Sequence, residues 1–146
     1  MFKRTVTAVI GVLLAGGALV AASPQAQAAP CSGSSCVGRN PTIGCDADGV
    51  TLRYHDYTAE NSARFRVEVR YSRACNAAWG RQTVWSGNNV SFALSAWNPG
   101  APSQGTIGIN GNTTWTGMID GRPLDCAGTQ FYVNGRWVRW YYIGCS

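Results

Sequence analysis

The sequence predicts an all-β fold: a small sandwich or barrel of about eight short antiparallel strands, stapled by disulfides and preceded by a loop-rich N-terminal segment. Three observations carry that expectation. Apolar and polar residues alternate in short runs bounded by Gly and Asn, the period-2 signature of half-buried strands. Six cysteines, Cys31, Cys36, Cys45, Cys75, Cys126 and Cys145, all lie downstream of an export-type leader. Charged residues make up 13% of the 146-residue chain, about half the usual share, while Gly, Trp and Tyr are abundant, which is neither a disordered nor a coiled-coil composition.

The leader comes first. Lys3 and Arg4 form a positive head, Val6 to Ala22 an apolar stretch diluted by Gly11, Gly16 and Gly17, and Ala26-Gln27-Ala28 a small-residue cleavage pattern. Residues 1–28 therefore read as a signal peptide. The stretch approaches the roughly 20 apolar residues that span a bilayer, but its small-residue exit favours cleavage over anchoring. Cys31 lacks the Leu-like residue three places before it that a lipidated cysteine wants. The expected product is a secreted monomer of residues 29–146 without membrane contact, large enough for one domain that buries about two-thirds of its unfolded surface. It carries ten arginines against seven acidic residues and no lysine, a net of +3, too mild a bias to point to nucleic acid. In an oxidising compartment its cysteines pair, each bond contributing about 2–4 kcal/mol.

The elements follow in order. Pro30 to Gly49, rich in Gly, Ser, Asn and Pro and without an apolar period, reads as a loop ordered by covalent rather than hydrophobic forces. Val50, Leu52 and Tyr54 alternate with Thr51, Arg53 and His55; Phe65, Val67, Val69 and Tyr71 alternate with Arg64, Arg66, Glu68 and Arg70. Further strands are expected over Arg81–Trp85, Val90–Ala96, Gly105–Asn110, Thr113–Ile119, Gln130–Val133 and Arg136–Ile143. Between them, Arg73 to Gly80 is the one place suited to a helical turn, through Ala74, Ala77 and Ala78. Asn134-Gly135 supplies the two positive φ angles of a type I′ turn, joining the last two strands as a hairpin.

The inventory of reactive groups is poor. The sole histidine, His55, has Asp56 on the opposite strand face, so no local His-Asp dyad forms. Paired cysteines are not thiolates, and one His leaves zinc without its three or four ligands. Asp46-Ala47-Asp48-Gly49 opens like a calcium loop but lacks the remaining ligands, so it reads as a polar turn. Asp46, Asp48, Glu60, Glu68, Asp120 and Asp125 include any carboxylate pair a glycosidase would need, and their separation decides that reading. No phosphate-binding glycine loop is present. No catalytic residue, metal or cofactor is assigned.

Binding is the stronger expectation. Arg136-Trp137-Val138-Arg139-Trp140-Tyr141-Tyr142 puts bulky aromatics on both faces of one strand. Exposed Trp137, Trp140 and Tyr142 would offer platforms for sugar rings or anchors for a protein partner, with Arg136 and Arg139 able to stack or hold anions. A second candidate is the stripe Arg64, Arg66 and Arg70, interrupted by Glu68, which could meet acidic envelope polymers.

The run from Cys31 to Pro41 (CSGSSCVGRNP), then Gly44-Cys45-Asp-Ala-Asp48, Val67-Glu-Val-Arg-Tyr-Ser72 and Cys75-Asn-Ala-Ala-Trp79 resembles a secreted bacterial family carrying the domain of unknown function numbered 2690. The likeness covers about residues 31–95, with Asn40 standing where that family usually has Asp, and residues 96–146 read as a C-terminal β extension. No activity comes with it. Six cysteines allow 15 pairings; if four belong to the family core, Cys126 pairs with Cys145, and the favoured arrangement of the others is Cys31 with Cys36 and Cys45 with Cys75. The chain is thus expected to be a non-catalytic module that binds an extracellular protein or a cell-wall glycan. Its alternatives are an inhibitor of secreted proteases, using residues 31–45 or Trp97 to Pro102, or a glycan or cell-wall hydrolase.

Overall fold

The computed structural model describes residues 28–59, 62–86, 91–109, 113–122, 125–133 and 136–145. The expected signal peptide up to residue 27, Glu60 and the expected turn residues Asn134 and Gly135 lie outside the described residues. Nine strands follow one another: β1 Val50–Thr58, β2 Arg64–Ser72, β3 Ala77–Ser86, β4 Ser91–Trp97, β5 Gln104–Ile109, β6 Thr113–Trp115, β7 Ile119–Asp120, β8 Cys126–Val133 and β9 Arg136–Cys145. They form two antiparallel sheets, one in the order β1-β2-β3-β6 with β7 pairing the start of β3, the other in the order β5-β4-β8-β9. Of the two architectures the alternation allows, this is the sandwich; among the described residues no barrel closes.

The alternating residues of β2 do what their period requires, but those of β1 do not: a bulge between Thr51 and Arg53 puts Arg53, His55 and Tyr57 opposite Val69, Val67 and Phe65, and leaves Val50, Leu52 and Tyr54 exposed. Phe65, Val67 and Val69 of β2 and Val84 of β3 face Phe92 and Leu94 of β4, Phe131 of β8 and Tyr141 of β9 in one core. Phe65 is the centre: its ring lies 4.4 Å from Phe131 and 5.3 Å from Tyr141. Each such side chain contributes about 1.5–3 kcal/mol by leaving water. Val133 pairs with Arg136 across the last connection, so the expected hairpin is present.

Two further segments differ from expectation. Arg73 to Gly80 holds no helical turn: residues 73–76 make a hydrogen-bonded turn, Asn76 takes a left-handed φ of 44°, and β3 starts at Ala77. The alanines serve as small packing residues, Ala78 against Ala96 and Ile119 and Ala77 beneath the cysteines, so tertiary packing overrides helix propensity. Thr113–Ile119 is not one strand. It breaks after Trp115, where Thr116 accepts the Gly80 N–H through its hydroxyl and Met118 leaves β3 to bridge Val37 in parallel.

Residues 30–49 cover part of the outer face of the first sheet, around Trp79. Of two one-turn 3₁₀ helices, Gly33–Cys36 and Pro41–Ile43, the first is closed within the segment by disulfide Cys31–Cys36, and Cys45–Cys75 joins the segment to the turn between β2 and β3. The order is not covalent alone: the four cysteines pack with Ala77, Trp79 and Met118 in a small apolar cluster. Cys126–Cys145 ties β8 to β9, completing the three expected pairs. At the open side of the sandwich the edge strands clasp each other. Tyr57 Oη of β1 donates to the Tyr142 carbonyl at 3.0 Å, and Arg53 reaches the Ile143 carbonyl at 3.5 Å.

Candidate binding surface

Simple alternation along β9 would put Trp137 on one face and Trp140 with Tyr142 on the other. The register departs from alternation at one point. Tyr132 opposes Trp137 and Gln130 opposes Trp140, so Val138 and Arg139 together face the single residue Phe131, a β-bulge. Gln130 stabilises it by donating its side-chain amide to the Val138 carbonyl at 2.6 Å. Beyond the bulge Trp140 and Tyr142 share the face of Trp137, while Tyr141 points into the core.

The result is one aromatic row on the outer face of the second sheet: Tyr132, Trp137, Trp140 and Tyr142, exposed by 41%, 45%, 44% and 63%. Tyr132 and Trp137 meet edge to face at 5.2 Å between centroids, a geometry that holds both rings upright. Small residues lie beside the row. Gly128 opposes Tyr142 and Ser95 opposes Gly128; a Cβ on Gly128 would come within 2.8 Å of the Tyr142 Cβ, so glycine is what lets that tyrosine settle on the sheet. Of the two arginines expected here, Arg136 is exposed beside Trp137, whereas Arg139 lies 4.9 Å over the buried Tyr141 ring. Tyr132 joins the row because the hairpin register, carried one pair inward from Val133 and Arg136, places it opposite Trp137.

The arginine stripe is a different case, because Arg66 and Arg70 are engaged within the protein, while Arg64 is exposed at the start of β2. Arg66 makes a two-point ion pair with Asp56, 2.6 Å at its closest, and lies 4.1 Å over the Tyr54 ring with Trp85 at 5.3 Å. Arg70 donates to the Gly49 carbonyl and Thr51, and Arg81 grips Glu68 through two bonds. Burial by itself would raise the Glu68 carboxyl, but hydrogen bonds from Arg81 and Thr51 and the charges of Arg81 and Arg70 outweigh it and hold it below the usual range. Such a face presents paired charge.

Three further carboxylates are also occupied. Asp48 takes the Ser72 hydroxyl and the Ala74 N–H, closing the loop onto the sheet. Asp120 pairs with Arg122 at 3.4 Å. Asp125, buried, accepts from the Asn98 amide at 2.6 Å and from the Arg122 N–H, and burial pushes its carboxyl above the ordinary value. His55 is exposed on β1 opposite Val67, while Asp56 opposes Arg66 on the other face. The sulfurs of Cys31, Cys36, Cys45 and Cys75 lie within 4.8 Å of one another, but joined in two disulfides they have no thiolate charge to give a metal.

No curated protein and no solved structure matches the chain. One family model does, over residues 34–127, close to two-thirds of the sequence and well past residue 95, where the expected likeness stopped. The covering loop from Ser34, disulfide Cys45–Cys75 and β1 to β7 fall within that span, whereas Cys31 and the whole of β9 lie beyond it. A match of that extent makes the chain a member of the family described as protein of unknown function (DUF2690).

Proposed function

We propose that this protein is a non-catalytic binding module that acts outside the cell and meets a cell-wall glycan or an extracellular protein through the outer face of β8 and β9. The observation that carries this reading is the aromatic row Tyr132, Trp137, Trp140 and Tyr142, which a bulge gathers on one face that no other described element covers. Rigid, amphipathic rings lose little entropy on binding and give both stacking surface and polar edges. Three disulfides suit an oxidising location, and no helix among the described residues is long and apolar enough to cross a membrane.

The test is retention of the purified protein on insoluble cell-wall preparations. The wild type is expected to sediment with the wall, and Trp137→Ala and Trp140→Ala to weaken retention about tenfold or more, the scale of an aromatic anchor, with unchanged circular dichroism. Equal retention of both variants would remove this surface from consideration. Release of soluble wall fragments by the wild type would replace the reading with the hydrolase alternative.

A further inference from the structure

At the opposite edge of the second sheet from β9, a groove runs between β5 and β6. Gly105 and Thr106 form one wall, Trp115 the other, Thr116 and Gly117 continue it, and Gly38 and Asn40 of the covering loop close one end. We propose that this groove is a second binding site, for a ring of a neutral saccharide.

Three features of the groove support the assignment. The first is its fixed shape. Gly38 donates its N–H to the Met118 carbonyl at 2.8 Å and Met118 donates back to Arg39 at 2.8 Å, so the loop is laced to the chain after β6. Gly38 holds a left-handed φ of 78°, and a Cβ on Gly117 would sit 3.1 Å from the Gly38 carbonyl oxygen. Glycine at both positions permits this approach and leaves the space above it unfilled.

The second feature is the orientation of Asn40. Its side-chain oxygen accepts from the Thr42 N–H at 3.0 Å, the Thr42 hydroxyl at 2.9 Å and the Trp115 indole N–H at 2.9 Å. Two of those partners are N–H groups that can only donate, which fixes which end of the amide is oxygen. The amide nitrogen, with two donors, is turned away and meets no acceptor among the described residues. The indole, its N–H committed to Asn40, packs against the cysteine cluster on one side and lines the groove on the other.

The third feature is charge. No lining residue is acidic or basic, so a phosphate, sulfate or carboxylate would find no counter-charge. An aromatic wall, a pre-oriented amide and the Thr106 side chain instead complement a ring with apolar C–H faces and equatorial hydroxyls. The space, about 210 Å³, is below the roughly 300–1,000 Å³ of drug-sized sites and scaled to a single ring. The site stands apart from the β9 row and its failure is separable from that reading.

Titration of the ¹⁵N-labelled protein with cellohexaose and with chitotetraose, followed through the indole N–H signals, tests it. The Trp115 signal, identified by its absence in Trp115→Phe, is expected to shift saturably with one of these sugars in the millimolar range. Asn40→Ala should weaken that binding about tenfold, the loss of one or two hydrogen bonds. Thr106→Val, which keeps the shape and removes a hydroxyl, should weaken it about threefold even if Asn40→Ala loosens the loop. Trp137→Ala should leave it unchanged. No saturable shift of Trp115 with either sugar overturns the proposal, as does a shift confined to Trp137 and Trp140, or a response to heparin equal to that with the neutral sugars.

Discussion

The outer faces of the two sheets are built from the same residue types and have opposite fates. On the first, Trp79 is buried beneath a cysteine-bound loop and Arg66, Arg70 and Arg81 are tied to Asp56, Thr51, Gly49 and Glu68. On the second, Trp137, Trp140 and Tyr142 stand in water with small residues beside them. Strand alternation decides only which residues leave the core. Whether they then become structure or surface depends on what the rest of the chain lays over them, and here the N-terminal segment covers the first sheet around Trp79, while Tyr54 and Trp85 of that same face stay exposed beside Arg66.

Three substitutions probe that contrast, the largest effect first. Trp79→Ala removes the ring on which the covering loop rests and should cost about 3–5 kcal/mol, read by urea denaturation; a loss under about 1 kcal/mol would mean the loop is held by its disulfides alone. Glu68→Gln should cost about 1–3 kcal/mol by leaving Arg81 without its counter-charge. It should also change the pH profile. The folded Glu68 carboxyl lies below its unfolded value of 4.5, so its contribution is complete above that pH and disappears as pH falls through the folded value. The variant should therefore lose less stability than the wild type on acidification below about pH 4.5. Asp125 acts in the other sense, since its raised carboxyl favours the folded state as pH falls and weakens it as pH rises above 3.8; an unchanged acid limb in Glu68→Gln would show that other carboxylates dominate. Smallest of all, Trp140→Ala should alter stability by less than about 1 kcal/mol while reducing retention on the wall. A loss as large as that of Trp79→Ala would make the aromatic row structural.

Much of the fold was legible because alternation is a local signal. β1, β2, β4, β5, β8 and β9 sit within a few residues of their expected places, and the three disulfides match the pairing that the family likeness favoured. The misreadings share a cause. Ala77 and Ala78 suit a helix in isolation and serve in a strand because Ile119, Ala96 and the cysteines demand small neighbours. Trp137 changes face because Val138 and Arg139 share one partner, a register fact that no periodicity within β9 contains. The site was less legible still. Asn40 and Trp115 lie 75 residues apart and meet only because Val37 to Arg39 replaces a strand partner beside Met118.

The reach of Tyr57 and Arg53 across to the carbonyls of Tyr142 and Ile143 has a consequence for solution behaviour. A molecule made mostly of β-strands risks recruiting copies of itself along exposed rims, the first step towards fibrils. Here the two rims on one side hold each other's attention, so acceptors that a foreign strand would need are already engaged. Loss of the Tyr57 hydroxyl would be felt first as a tendency to self-associate on standing, before any change in ligand capture.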